Sequence, residues 1–167
     1  LARLADLRIQ QGRFEEAEQL LTGLSVNEEC ARPLAMLLLA QGQVEGSREI
    51  LERTLARIDP ISTSAVPLLA LLVDVHLAAG AIEEAQQAMA SLEASATDQN
   101  VPYLIAVRAL ARGRLALASG DPAARAWFRV AVDEFGRAQL PLESARSQLA
   151  FATAVADESP NVARAEA

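Results

Sequence analysis

The sequence predicts an all-α protein, an α-solenoid of antiparallel helix hairpins. Alanine and leucine together supply 60 of the 167 residues and aromatic residues only 4%, a composition that favours helix throughout. Glycines at positions 12, 42, 80 and 120 each follow one apolar helical pattern and precede another, at spacings of 30, 38 and 40 residues. A loose repeat of two helices per unit accounts for this pattern, and a sheet protein does not.

Each of these glycines is predicted to end a helix, because glycine adopts a positive φ at a helix C-cap without strain. In the first three units a second helix follows, with a bulky residue two positions after the glycine and a small one five positions after it. The bulky residue is expected to fill the gap between the two helices, and the small one lets their backbones approach. The bulky residues are Phe14, Val44 and Ile82, and the small ones are Ala17, Ser47 and Ala85.

The helix boundaries follow, in chain order, from these turns and from the polar breaks between units. Asn27, Ser64 and Asn100 are placed to cap helices, and Asp121 and Ser159 each precede a proline at a first helical position. The predicted helices are residues 1–11, 14–24, 28–41, 44–58, 65–79, 82–95, 102–119, 122–135 and 142–157, with a tenth starting at Pro160. They form five hairpins in a single domain 1–167, the last hairpin incomplete: 1–24, 28–58, 65–95, 102–138 and 142–167.

Several kinds of chemistry are excluded by residue types that the sequence lacks. It contains no lysine, so it has neither a lysine-bearing phosphate-binding loop nor a Schiff-base nucleophile. A single histidine, His76, and a single cysteine, Cys30, cannot build a zinc site of Cys and His ligands or an internal disulfide. We therefore expect no enzyme activity and no cofactor, with His76 packed against the second helix of its hairpin and Cys30 buried.

Charged residues are open to a functional and to a plain interpretation. Adjacent glutamates could serve a hydrolase, but neighbours on a helix point about 100° apart, and acids in a first turn suit the helix dipole. Six arginines between residues 108 and 137 could bind phosphate or an acidic partner, but the net charge of -7 argues against nucleic-acid binding by this chain alone. A solvated face with some salt bridges is the interpretation that we favour. The glutamate pairs are Glu15/Glu16, Glu28/Glu29 and Glu83/Glu84.

The expected location is the cytoplasm, away from membranes. No apolar run reaches the roughly 18 to 20 residues of a bilayer span. The longest candidate, Val66 to Ala81, is interrupted by Pro67, Asp74 and His76. A lone cysteine is typical of a reducing compartment. Because the chain starts at Leu1 in a helical pattern and stops at Ala167 in another, we expect it to be a fragment of a longer protein.

The hairpin of about 34 residues with a Gly-x-large-x-x-Ala turn resembles the tetratricopeptide repeat. The match is best in the first unit (Leu4, Ala5, Gly12, Phe14, Ala17, Leu21) and the third (Leu72, Gly80, Ile82, Ala85, Met89). The fourth unit departs from it, with Pro122 at the bulky position and Arg125 at the small one, and the fifth has no glycine at its turn.

A second resemblance covers nearly the whole chain. Residues 1–21, 32–35, 111–122 (ARGRLALASGDP), 138–146 and 162–167 resemble the helical-repeat region of LuxR-type transcriptional regulators of the large, MalT-like kind. In that family such a region lies between an ATP-binding module and a C-terminal helix-turn-helix, neither of which is found in these 167 residues. The resemblance implies DNA contact only through a domain outside this chain.

In tetratricopeptide proteins the first helix of each hairpin lines a concave groove. The resemblance implies that a protein or peptide, or a small-molecule effector, binds in that groove here. Its mixture of charge and aliphatic surface would suit an extended peptide or a helix better than a uniform small-molecule cavity. Carried over residue by residue, the groove comprises Asp6, Gln10, Arg32, Met36, Asp74, Leu110 and Arg114.

Two functions therefore remain in view. The first is a non-catalytic region of a LuxR-type regulator that senses a partner or effector in its groove and passes a change of curvature to a DNA-binding domain. The alternative is a generic tetratricopeptide scaffold or adaptor unrelated to transcription. A helix-turn-helix downstream of residue 167 in the parent reading frame would separate the two.

Overall fold

The computed structural model describes residues 1–23, 28–95 and 101–165, and within these ranges it contains nine α-helices and no strand. The all-α fold class is thus confirmed. The first eight predicted helices lie within three residues of the observed bounds at both ends. The helices are α1 (Ala2–Gln10), α2 (Phe14–Leu21), α3 (Glu28–Ala40), α4 (Val44–Leu55), α5 (Ala65–Ala78), α6 (Ile82–Ala94), α7 (Pro102–Ala118), α8 (Ala124–Arg137) and α9 (Pro141–Ala165).

The C-terminal prediction was wrong in one respect. Instead of a helix over 142–157 and a tenth helix from Pro160, α9 runs unbroken from Pro141 to Ala165. A proline removes one backbone hydrogen bond and crowds the preceding turn, which weakens a helix without always ending it. The same tolerance is seen in α3, which has Pro33 in its interior.

The glycine turns are confirmed. Gly12, Gly42, Gly80 and Gly120 have φ between 70° and 76°. In each turn the glycine amide donates to the carbonyl three residues earlier, and the next amide donates to the carbonyl five residues earlier. This pair of bonds is the Schellman motif, which satisfies carbonyls at the helix end. The α8–α9 turn repeats it without glycine, since Gln139 adopts φ 57° and the Leu140 amide donates to the Phe135 carbonyl at 3.0 Å.

The helix starts are less regular than predicted. Ser64 precedes α5 but makes no capping bond, and its hydroxyl pairs with the Ser62 hydroxyl at 2.9 Å. Asp121 accepts a bond on Oδ1 from the Ala123 amide at 2.8 Å, so it stabilises the turn just before α8. The predicted caps Asn27 and Asn100 lie outside the described residues.

Successive helices pack in one recurring arrangement. Among the described residues, each odd-numbered helix from α1 to α7 contacts the even helix that follows it and the next odd helix, while the even helices α2, α4, α6 and α8 do not contact one another. The odd helices therefore form one layer, which we call the inner layer because the cavity described below lies against it, and the even helices form a second layer, called the outer layer. No described helix has the length and apolar content needed to cross a bilayer.

The small residues predicted between paired helices are fully buried. Ala17, Ser47 and Ala85 are each 0% exposed. The Ser47 hydroxyl donates to the Ala35 carbonyl of the partner helix at 2.8 Å, which fixes the close approach of α3 and α4. The prediction for Phe14 was wrong. Its side chain is 36% exposed and borders a cavity instead of filling the gap between α1 and α2.

Candidate functional site

A cavity of about 770 Å³ lies against the inner layer of helices. Its wall is formed mainly by α1, α3, α5 and α7, with additional residues from α2, α8 and α9. We call it the inner cavity. Most of its lining is aliphatic or aromatic, and a few charged side chains interrupt that surface. Cavities of roughly 300–1,000 Å³ with such a lining are the usual form of ligand sites in proteins.

All seven residues predicted for the groove line the inner cavity. They come from four different helices: Asp6 and Gln10 from α1, Arg32 and Met36 from α3, Asp74 from α5, and Leu110 and Arg114 from α7.

Their common placement follows from their position relative to the glycine turns. Asp6, Met36, Asp74 and Arg114 each stand six residues before the glycine that ends their helix. Since the helices end in the same turn geometry and pack in the same order, residues at equal distance from the turn face the same side. Side chains that are far apart in sequence are thereby brought to one wall.

Two ion pairs join neighbouring odd helices across this wall. Arg32 Nη1 lies 3.0 Å from Asp6 Oδ1 and links α3 to α1, while the Arg114 guanidinium pairs with Asp74 and links α7 to α5. All four side chains keep between 21% and 39% of their surface exposed, so the pairs are only partly shielded. Asp74 Oδ1 is buried and accepts no hydrogen bond from the protein.

The wall between the two ion pairs is apolar. Met36 and Leu39 of α3 and Ala70 and Leu71 of α5 line the cavity there. The inner cavity thus presents an ionic, an apolar and then another ionic strip along α1, α3, α5 and α7. Such a surface suits a ligand that carries both apolar groups and hydrogen-bonding groups.

Tyr103 is a lining residue that the sequence analysis missed. It lies at the start of α7, and its ring centroid is 6.5 Å from that of Phe135 of α8. Burial raises the pKa of the Tyr103 phenol, Arg32 lowers it, and Asp6 and Glu143 raise it. The phenol therefore sits within electrostatic reach of α1, α3 and α9. The sequence could have predicted this position, because Tyr103 stands seven residues, or two helical turns, before Leu110 and therefore lies on the same face of α7.

Helix α9 completes the cavity. Leu140, Glu143 and Arg146 belong to its lining, and Arg146 Nη2 donates to the Gln10 carbonyl of α1 at 3.4 Å. The ninth helix thus reaches the first across 136 residues of sequence. This contribution was missed because no glycine follows α9 in the sequence, so no glycine turn sets the register of its residues as it does for α1, α3, α5 and α7.

The residues considered for catalysis lie elsewhere. His76 is 8% and Cys30 3% exposed, both within helix packing as predicted. The adjacent glutamate pairs occupy the first turns of α2, α3 and α6, as expected for helix starts. Within the described residues, no group of three or more His, Cys, Asp and Glu side chains is placed to hold a metal ion.

Three of the six arginines between residues 108 and 137 lie in different surroundings. Arg114 faces the inner cavity, whereas Arg112 pairs with Glu93 at 2.5 Å and lies over the Trp127 ring at 4.6 Å. Arg137 pairs with Glu134 on its own helix at 2.6 Å. For these three arginines, the contacts agree better with a face stabilised by salt bridges than with a phosphate-binding site.

Comparison with known proteins does not add to this description. No protein-family model, no curated protein and no solved structure matches the chain.

Proposed function

We propose that this chain is a tetratricopeptide-like α-solenoid without catalytic activity, and that it binds a short segment of a partner protein in the inner cavity. The observation that carries the proposal is the composition of that cavity, where residues from four repeated helices meet around one concave, mostly apolar surface. Repeat proteins use such surfaces to bind extended or helical segments.

The lining residues favour binding over a reaction. Among the described residues, the wall has no histidine, cysteine, serine or lysine. Two of its three acids are held in ion pairs with arginine. A nucleophile and a base within hydrogen-bond reach, the minimum for most acyl or phosphoryl transfers, are lacking in this lining.

The volume limits the length of the segment. A helix about 10 Å across rises 1.5 Å per residue and so fills roughly 120 Å³ per residue. At that rate a cavity of about 770 Å³ accommodates roughly six residues. The partner therefore inserts fewer than two helical turns, or an extended segment of similar length.

A display library of peptides about eight residues long, slightly longer than the roughly six residues that the cavity accommodates, tests the proposal. Ala40 is exposed and lines the cavity, so Ala40→Trp projects an indole into it with little effect on packing. Ala90 is exposed on α6 away from the cavity, and Ala90→Trp is the matched control. We expect peptides selected on the unmodified protein to bind Ala90→Trp equally well and Ala40→Trp at least tenfold more weakly.

Either of two results would refute the proposal. One is that no peptide is enriched above background. The other is that the selected peptides bind Ala40→Trp and the unmodified protein with the same affinity, which would place their site elsewhere.

We propose further that the binding region belongs to a LuxR-type regulator, with a generic scaffold as the alternative. The support is the resemblance of residues 1–21 and 111–122 to that family's helical-repeat region. The parent reading frame tests it: a helix-turn-helix after residue 167 and an ATP-binding loop before residue 1 are expected. Unrelated flanking domains would leave the scaffold.

A further inference from the structure

The charges that line the inner cavity are equal in number but unequal in their contacts. Among the described lining residues, the three cations are Arg32, Arg114 and Arg146, and the three anions are Asp6, Asp74 and Glu143. Arg32 and Arg114 are paired with Asp6 and Asp74. The charge of a preferred ligand therefore depends on whether Arg146 and Glu143, the two lining charges on α9, already have partners in the protein.

Arg146 already has a favourable partner. It donates to the carbonyl of Gln10, the last residue of α1, where the helix dipole presents its negative end. Glu143 is half-buried, and among the described residues no arginine forms an ion pair with it. Among the described residues, it is therefore the one lining charge that forms neither an ion pair nor a side-chain hydrogen bond.

An unfilled acceptor lies in the same wall. Asp74 Oδ1 is buried and accepts no hydrogen bond, although Asp74 pairs with Arg114. A buried carboxylate oxygen without a donor costs free energy that a ligand's N–H group can recover. Asp74 Oδ1 thus calls for a donor, and the Glu143 carboxylate, which has no ion-pair partner among the described residues, is free to accept one.

The surroundings of Glu143 suit a cation with an aliphatic stem. Tyr103 lies within electrostatic reach of Glu143, and the Tyr103 and Phe135 rings both line the cavity. Leu140 lines it one turn before Glu143. Aromatic faces attract ammonium and guanidinium groups, and apolar walls accommodate the methylene stem of lysine or arginine.

The net charge of the whole chain also favours a basic ligand. With a net charge of -7, the protein attracts a basic segment at long range and repels an acidic one.

From these contacts we infer that the segment bound in the inner cavity is basic and amphipathic, and that it places a lysine or arginine side chain against Glu143. The inference rests on the proposed function, because it names the chemistry of the partner that the cavity binds. Leucine-like side chains of the same segment fill the apolar strip between the two ion pairs.

The composition of peptides selected from the display library gives the first test. We expect lysine or arginine to be enriched beside aliphatic residues, and the preference for basic residues to fall when the selection is repeated on Glu143→Gln. Selection of neutral or acidic peptides would overturn the inference and leave the proposed function intact. Failure to select any peptide would refute the proposed function, and this inference with it.

A double-mutant cycle then tests the pairing itself. In a selected peptide, replacing the lysine by norleucine keeps the stem and removes the ammonium group. We expect this change to weaken binding to the unmodified protein about fivefold, the effect of a partly exposed ion pair of about 1 kcal/mol. The same change should have a clearly smaller effect on binding to Glu143→Gln, where only the long-range attraction of the remaining net charge is left. An equal loss on both proteins would overturn the inference.

Glu15→Gln is the matched control, since Glu15 is exposed in the first turn of α2 outside the cavity and should leave the cycle unchanged. A zero-length carbodiimide cross-link locates the lysine directly. Because the sequence has no lysine, the only competing amine of the protein is its N-terminus. We expect the peptide lysine to be joined to Glu143, and cross-links to glutamates of the outer helices instead would overturn the inference.

Discussion

The second and fourth hairpins bring their two helices together at the same position by different chemistry. In α3–α4, Ala35 and Ser47 are both fully buried, and the Ser47 hydroxyl donates to the Ala35 carbonyl at 2.8 Å. In α7–α8, Gly113 occupies the position of Ala35, seven residues before the turn glycine. The fully buried ring of Phe128 packs against it, so that a Cβ on Gly113 would lie 2.8 Å from two ring atoms.

The difference shows that this position requires a close fit and not a particular residue pair. Two small side chains provide the fit in the second hairpin, and a large ring against a glycine provides it in the fourth. A motif based on the first solution does not recognise the second, which is why the fourth hairpin departs from the repeat pattern while keeping its turn geometry.

Removal of the ring is the largest expected effect. Phe128→Ala leaves a cavity beside Gly113 in a site that cannot close around it, and we expect it to lower the free energy of unfolding by about 3 to 5 kcal/mol. Urea unfolding followed by circular dichroism measures the loss. A loss below about 1 kcal/mol, well under the usual cost of such a truncation, would mean that the ring does not anchor this hairpin.

Gly113→Ala serves as the partner variant in a double-mutant cycle. In the presence of Phe128 the added methyl group overpacks the site and should cost about 1 to 3 kcal/mol. In the Phe128→Ala background the same change should stabilise the protein by up to about 1 kcal/mol, because alanine is the better helix former. An unchanged sign between the two backgrounds would contradict the contact.

Larger side chains at the small buried positions of the first and third hairpins test whether small residues provide the close fit there. Ala17 and Ala85 are both 0% exposed between paired helices, so replacing either by leucine should lower the free energy of unfolding by about 1 to 3 kcal/mol. Ala90→Leu, at an exposed position of α6, is the control and should be nearly neutral. Neutral results at both Ala17 and Ala85 would rule out the close approach of these helices.

The parts of the fold that the sequence predicts well are those with a local physical cause. Positive φ at Gly42 and Gly80 and burial of Ala17 and Ala85 follow from the turn and from the spacing after it. The packing of Phe128 on Gly113 was missed because it depends on two positions in different helices, neither of which is unusual alone.

The same distinction explains the candidate site. Lining residues on α1 to α7, such as Asp6 and Arg114, could be predicted because their helices end in recognisable glycine turns. Glu143 and Arg146 could not, since the sequence has no glycine after α9 from which their distance to a turn could be counted. Pairing of Arg32 with Asp6 was also beyond prediction, because it depends on the spacing between hairpins.

The hydroxyl contact of the second hairpin has a smaller expected effect. Ser47→Ala removes its hydrogen bond to Ala35 but keeps the fit, since alanine occupies the same position in the first and third hairpins. We expect a loss of about 0.5 to 1 kcal/mol in the free energy of unfolding. Ser144→Ala, which removes the weaker 3.2 Å bond to the Val132 carbonyl, should cost less. The reverse order would contradict the assigned geometry.

The turn before α9 offers a substitution that should stabilise the protein. Gln139 has φ 57°, a conformation that costs a residue with a side chain about 1 to 2 kcal/mol relative to glycine. Gln139→Gly relieves this strain but adds freedom to the unfolded chain, which returns about 0.4 to 1 kcal/mol.

The net gain expected for Gln139→Gly is therefore about 0.5 to 1 kcal/mol, measured as a higher midpoint of urea unfolding. Gly80→Ala provides the opposite control, because it introduces a Cβ at φ 72° and should lower the free energy of unfolding by a similar amount. The added Cβ would have no atom within 4 Å, so this loss would come from backbone strain and not from a steric clash. If both substitutions shift the midpoint in the same direction, backbone strain is not what distinguishes the last turn from the four glycine turns before it.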